Sequence, residues 1–276
     1  EDISDRRDLR ELPTLTIDPA SARDFDDAIS LETLQDGGYR LYVHIADVAH
    51  YIKPESALFQ EAVNRGNSYY FPKMVIPMLP EKLSNLVCSL RPYEDKLTVT
   101  VVTEFDADCK ITAQEAFESV INSRARLNYE EVDNLFDGVT TTIPEDIAIT
   151  LKHMRVLSQA LNRVRLARGY LQLNLPETEF IFSDEGHITD LARSAETDSH
   201  ALIENFMLVA NEYVARQLGK QSTLYRIHEQ PDPDRIEYIE EILQIYGVKY
   251  NKNSNMNMLV QNMLQALPDA NYHRVF

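Results

Sequence analysis

Long apolar runs are missing from this 276-residue chain. No stretch reaches the ~18 consecutive apolar residues that a membrane-crossing helix requires, so no transmembrane segment is expected. The opening EDISDRRDLREL is charged and unlike a secretory signal. Cysteine is scarce: Cys88 and Cys109 lack metal-ligand spacing and read as two reduced thiols of a cytoplasmic protein rather than a disulfide. Internal repeats, low-complexity tracts and flexible linkers are absent too, so residues 1–276 are expected to form one domain. Positive charge is the most telling shortage. Lys and Arg number 27 against 44 Asp and Glu, a formal net charge of −17. A chain this acidic repels nucleic acid on average, unless cations or locally focused basic groups intervene.

What is present suits a globular protein with a sizeable core: 44% apolar and 26% charged residues. TLTID (14–18) reads as a short strand. Residues 27–34 and 39–48 flank the turn signal Gln35-Asp36-Gly37-Gly38 and predict a hairpin. SALFQEAVNR (56–65) predicts a helix capped by Ser56 and stopped by Gly66. The three prolines of 71–80 predict extended chain or loop. Residues 97–106 and 111–122 read as two further strands. Helical patterns then cover about 144–168, 197–218, 232–246 and 256–267, with short strands at 171–182 and 187–192 around Glu185-Gly186. Strands mostly first and helices mostly later predict an α+β fold.

The stretch TIDPASARDFDDAIS (16–30) gathers Asp18, Asp24, Asp26 and Asp27, with Arg23 the only basic residue among them. Two like charges ~4 Å apart repel by ~1 kcal/mol in water and by several times that where water is scarce. Four carboxylates converge only if protons or cations neutralise them, and hard oxygen ligands select Mg²⁺, Mn²⁺ or Ca²⁺. Paired Mg²⁺ ions are the usual device for phosphodiester chemistry. The competing reading is a solvated acidic loop with capping duties. An EF-hand loop is excluded, because positions 5, 6 and 12 counted from Asp24 hold Ala28, Ile29 and Gln35. A haloacid-dehalogenase-type DxDx(T/V) is disfavoured rather than excluded, because the Thr or Val and the preceding apolar strand are lacking. A glycosidase carboxylate pair would not require four acids.

TIDPASARDFDDAI resembles the active-site signature of the ribonuclease II / ribonuclease R family, roughly T-I-D-x-x-x-A-x-D-x-D-D-A. The likeness continues in order through VHIADVAHYI (43–52), EAVNRGNSYYFP (61–72), VIPMLPEKLSNLVCSL (75–90), RARLNYEEV (124–132), HALIENFMLVAN (200–211) and RIHEQP (226–231). The resemblance implies an RNB-type α+β catalytic domain with a mixed, mainly antiparallel sheet packed by helices. It implies a Mg²⁺-dependent (or Mn²⁺-dependent) hydrolytic 3′→5′ exoribonuclease, cytoplasmic and monomeric. Such an enzyme degrades single-stranded RNA to nucleoside 5′-monophosphates. Asp18, Asp24, Asp26 and Asp27 would form the metal centre, with Asp27 beside Asp26 mattering most for turnover. Tyr70 would stack near the 3′-terminal nucleotide, Phe180 would pack on the last bases, and Glu204 would lie near the terminal ribose.

Each of these has a plainer reading. Tyr70 is one of 14 tyrosines, Phe180 suits a core as well as a platform, and Glu204 lies at the edge of an apolar helical stripe. Asp47 and Arg65-Gly66 are explained equally by buried hydrogen bonding or a turn. His44 and His228 read as structural, because this chemistry needs no histidine. The chain also departs from the family: a block resembling T-S-P-I-R-R-Y-x-D, which supplies an arginine to the scissile phosphate, does not appear. Neither do the flanking nucleic-acid-binding barrels. Asn205 and Phe59 stand where acids are common. A catalytic domain cut before its arginine block is therefore expected. The rival classes are a catalytically impaired RNA-binding relative and a nuclease that accepts DNA.

Overall fold

The computed structural model of the chain describes residues 3–71, 74–170, 177–183, 185–194, 196–221, 223–225, 227, 232–245, 247, 249 and 257–258. The strands are β1 (Arg7–Asp8), β2 (Thr14–Asp18), β3 (Asp27–Thr33), β4 (Tyr39–Ala46), β5 (Tyr69–Phe71), β6 (Met74–Ile76), β7 (Asp95–Phe105), β8 (Ile111–Asn128), β9 (Glu177–Phe182) and β10 (Ile188–Ser194). The helices are α1 (Val48–Tyr51), α2 (Ala57–Arg65), α3 (Tyr129–Phe136), α4 (Glu145–Ala167), α5 (Asp198–Leu218) and α6 (Pro233–Ile245). A π-helical turn covers Leu83–Val87. The chain divides into two compact units, Glu1–Ala160 with Thr197–Gln217, and Leu161–Glu196 with Leu218–Phe276.

The first unit is built on a six-stranded sheet in the order β1-β8-β2-β3-β4-β7. β1 and β2 run parallel to β8, and every other pairing is antiparallel. The long β8 closes the sheet, since Ile111–Asn122 pairs with β7 while Ser123–Asn128 pairs with β2. The predicted hairpin is β3–β4. Gly37 at its turn has φ +84°, and a Cβ on Gly38 would lie 2.1 Å from the carbonyl oxygen of Phe105, so that position is reserved for glycine.

Local chemistry accounts for the element ends. Ser56 Oγ accepts from Phe59 N–H at the start of α2, and Gly66 ends it with φ +81°. Arg65 spans from Glu61 to the Pro77 carbonyl, which leaves it a structural part in this region. α3, which hydrophobic periodicity does not reveal, starts with a capping box: Asn128 accepts from Glu131 N–H while Glu131 accepts from Asn128 N–H. Asp47 is buried, accepts from His50 N–H as cap of α1, and holds Arg6 Nη2 at 2.5 Å.

The core of the first unit combines Leu15, Ile29, Leu41, Phe105 and Ile121 from the sheet with Leu151, Met154, Leu202 and Phe206 from α4 and α5. A polar relay crosses it. Ser30 Oγ lies 2.7 Å from Thr14 Oγ1 and 3.0 Å from His44 Nε2, while His44 Nδ1 lies 2.8 Å from Thr100 Oγ1. Full burial pushes His44 down to about 3, so its imidazole is neutral and structural, as the motif reading expects. Asn205, at a position where the resembled family often has an acid, is buried and donates to Ser158. Neither Cys88 nor Cys109 is in a disulfide.

In the second unit β9 and β10 form an antiparallel hairpin around Gly186, whose φ is +90°. α6 buries Ile242 and Leu243. His228, most of the expected 256–267 helix and residues 171–176 lie outside the described residues. Among the described residues no helix is long and apolar enough to cross a membrane.

Candidate active site

The sheet brings the aspartates together. Asp18 ends β2 and Asp27 begins its antiparallel neighbour β3, with Leu15 opposite Ile29 between them. The two acids therefore lie at the same end of adjacent strands, and the loop Pro19–Asp26 carries Asp24 and Asp26 across that end. Asp18 is buried, and its Oδ2 has no hydrogen-bond partner. Burial, then the charge of Asp27, raises its carboxyl to about 7, while Arg126 pulls the other way. Burial, then Asp26, raises Asp27 to about 6. Asp26 is raised by burial and then by Asp24. Asp18, Asp26 and Asp27 are thus linked, each raised by lost water and then by the charge of a neighbouring aspartate, with Asp24 supplying the charge that acts on Asp26.

The structure places Tyr70 at this cluster. Tyr70 lies on β5, with its ring largely exposed and its hydroxyl 3.5 Å from Asp24 Oδ2. Burial and the charges of Asp24 and Asp26 raise its phenol. Glu204 is half-buried on α5, one turn beyond His200. His200 stacks on Tyr129 with ring centroids 3.8 Å apart and planes 15° from parallel. Tyr129 is pushed up to about 12 by burial and then by Asp18 and Asp27. Residues i and i+4 share a helix face, so Glu204 lies on the side of α5 that carries His200. Phe180 belongs to the second unit, exposed on β9 opposite Leu191.

Tyr129 and His200 are site neighbours that the pattern of charged residues did not single out. Their signal was present in RARLNYEEV and HALIENFMLVAN. β8 runs parallel to β2 with Asn128 opposite Asp18, which delivers Tyr129 to the same end of the sheet.

The donor set suits a hard divalent cation. All candidate ligands are carboxylate oxygens, one of them buried without a partner, and their raised values mark negative charge that lacks compensation. Among the described residues no three His, Cys, Asp or Glu side chains form a ready-made metal cage. Mg²⁺ needs none, because it keeps several waters and binds through one or two carboxylates plus substrate phosphate. Asp18 and Asp27 are the pair best placed for this.

Comparison with known proteins agrees with the motif reading. The RNB domain matches residues 6–275, which takes in both compact units. Ribonuclease R of Aquifex aeolicus (strain VF5) is 43% identical over 257 residues, covering 91% of this chain and 36% of that protein. The chain thus spans about a third of the length of the curated relatives it matches. The structure of Mycoplasma genitalium RNase R in complex with ribose methylated single-stranded RNA superposes with TM-score 0.91 at 30% identity, covering 99% of this chain and 43% of that one. Yeast Ssd1, described as a pseudonuclease, shares the fold alone: TM-score 0.78 at 18% identity, covering 97% of this chain and 33% of that one. With one family match running from Arg6 to Val275, and a mixed α+β architecture shared with RNase R, the chain belongs to the RNB domain family.

Proposed function

We propose that this chain is the catalytic part of a hydrolytic 3′→5′ exoribonuclease that acts on single-stranded RNA in the cytoplasm and releases nucleoside 5′-monophosphates. The observation that carries this reading is the connected set of carboxylates at one end of the sheet, with Asp18 and Asp27 raised toward neutrality. A fold shared with a pseudonuclease does not make an enzyme; the retention of Asp18, Asp24, Asp26 and Asp27 favours one.

Asp18 and Asp27 would hold Mg²⁺ or Mn²⁺, with Asp24 and Asp26 supporting, and a bound cation there supplies Lewis acidity and an acidified water. The protein's own groups do the rest. Asp27, at the start of β3, would then accept a hydrogen bond from the attacking water and orient it, with the charge of Asp26 beside it adding to the pull on the cation. Tyr70 offers an exposed ring beside Asp24 on which a terminal base stacks without regard to sequence. Glu204 is the candidate for the ribose 2′-OH, the group that separates RNA from DNA. Phe180 offers a second exposed ring on β9.

Excess negative charge fits this role, because attraction to RNA would run through bound cations and threading rather than a long-range field. The test is incubation with 5′-labelled single-stranded RNA in Mg²⁺ or Mn²⁺, beside an EDTA control and a DNA strand of the same sequence. Single-nucleotide shortening and monophosphate release from RNA alone are expected. RNA that is bound but left at full length would assign the chain to the impaired-relative class instead. Cleavage of both strands would remove the ribose contact.

A further inference from the structure

The loop that carries the aspartates has a second side. Residues 20–23 and Phe25 wall an open groove of about 960 Å³, completed by Glu81, Lys82, Asn85 and Leu86, by Arg91-Pro92 and by Arg126. Sites for small molecules fall at roughly 300–1,000 Å³. Its charge is opposite to that of the molecule. Arg23, Lys82, Arg91 and Arg126 line it against a single acid, Glu81, whereas the whole chain is −17.

These cations are poorly neutralised. Among the described residues Arg23, Lys82 and Arg126 form no ion pair, and Arg91 reaches Glu94 only at 3.7 Å. Arg126 is held rigidly. Its Nη2 donates to the carbonyls of Pro19 and Ala20 at 3.2 and 2.9 Å, and its guanidinium lies over the Phe25 ring at 5.3 Å. Its Nε is buried without a partner. The charge of Arg126 is also felt at Asp18. One guanidinium thus borders both the carboxylate cluster and the groove. A fixed, under-neutralised arginine flanked by other cations is a preorganised receptor for phosphate.

We propose that this groove binds a nucleoside 5′-monophosphate, holding its phosphate among Arg126, Arg91 and Arg23 on the far side of the aspartate loop. The choice of a mononucleotide rests on the exoribonuclease reading above. A dianionic product leaving the acidic cluster would meet repulsion there and, behind the loop, the uncompensated positive charge that Arg126 brings to its border. The groove would then serve as a station for product on its way out.

The experiment is calorimetric titration of AMP into the intact chain in EDTA, where the bare carboxylates repel phosphate. Saturable binding is expected. Arg23→Gln with Arg91→Gln should weaken it tenfold or more, since both side chains are exposed and their loss leaves the thermal melt unchanged. Asp27→Asn should leave it intact, and inorganic phosphate should compete. Absence of AMP binding, equal binding by the double variant, or tighter binding of a single-stranded RNA decamer lost in the double variant would each overturn the proposal. Monophosphate release is assayed in parallel. A chain that hydrolyses RNA but binds no AMP sinks the groove alone. A chain that binds AMP as described yet hydrolyses nothing sinks only the nuclease reading.

Discussion

The hydroxyl of Tyr70 lies 3.5 Å from Oδ2 of Asp24, 46 residues earlier in the chain. The hairpin β5–β6 that carries Tyr70 exposes Tyr69, Phe71, Met74, Val75 and Ile76 as well. Yet only Tyr70 is tied to the acidic loop by this contact. A side chain 69% exposed, with its hydroxyl facing an aspartate, lies outside the core and leaves its ring faces open.

Replacing Tyr70 with Ala should therefore lengthen the shortest RNA fragment left undegraded. Loss of one base stack costs about 1–3 kcal/mol, which weakens short substrates most because they have fewest other contacts. The end-product ladder on a denaturing gel reads this directly. A ladder identical to that of the unaltered protein removes Tyr70 from the site.

Asp27→Asn should abolish monophosphate release while single-stranded RNA binding changes little. Asn keeps the shape and start of β3 but cannot bring negative charge to a cation. Activity and filter-binding assays on the same preparation separate the two effects. Normal turnover by this variant would rule out the role given to Asp27.

Metal binding should show in stability, with a definite pH sign. Asp18 is raised from 3.8 to about 7 in the folded chain, so between about pH 4 and 7 the folded state holds a proton that the unfolded state has released. Stability then falls as pH rises through that window. A divalent cation takes the place of the proton. Thermal melts in EDTA should therefore drop between pH 5 and pH 8. Added Mg²⁺ or Mn²⁺ should raise the melting temperature at pH 8 far more than at pH 5. Asp18→Asn should flatten both responses. Equal cation effects at the two pH values would show that the cluster is not where the metal acts.

Much of this was legible in the sequence, for identifiable reasons. Ser56 and Gly66 bracket α2 as their capping chemistry requires. Gly37-Gly38 marks the β3–β4 turn because no other residue fits there. The aspartate cluster was legible because four like charges need a cause. α3 was missed because eight residues give too short a stripe for periodicity, although its capping box Asn128…Glu131 was in plain view. The place of Tyr129 was hidden for another reason. It depends on β8 running parallel to β2, a pairing between segments more than a hundred residues apart that no local pattern encodes. The basic groove was likewise invisible: Arg23, Lys82, Arg91 and Arg126 are scattered along the chain and meet only in the fold.

Arg6 and Asp47 give a prediction about the scaffold. Their side chains are 5% and 7% exposed, and the 2.5 Å contact between them links the N-terminal segment to the cap of α1. Arg6 also donates to the Thr98 carbonyl on β7 and lies 3.5 Å from Glu118 on β8. Arg6→Met removes the charge and leaves Asp47 buried against a thioether. Breaking one side of a buried pair costs about 3–5 kcal/mol, because the remaining charge loses its partner without regaining water. Changing both, Arg6→Met with Asp47→Asn, removes that stranded charge while Asn retains the cap on His50 N–H. Urea unfolding should therefore show the double variant more stable than Arg6→Met alone, with unchanged dependence on denaturant. If the single variant loses less than about 1 kcal/mol, the Arg6–Asp47 contact is peripheral, and the attachment of the N-terminal segment must rest on the β1–β8 pairing instead.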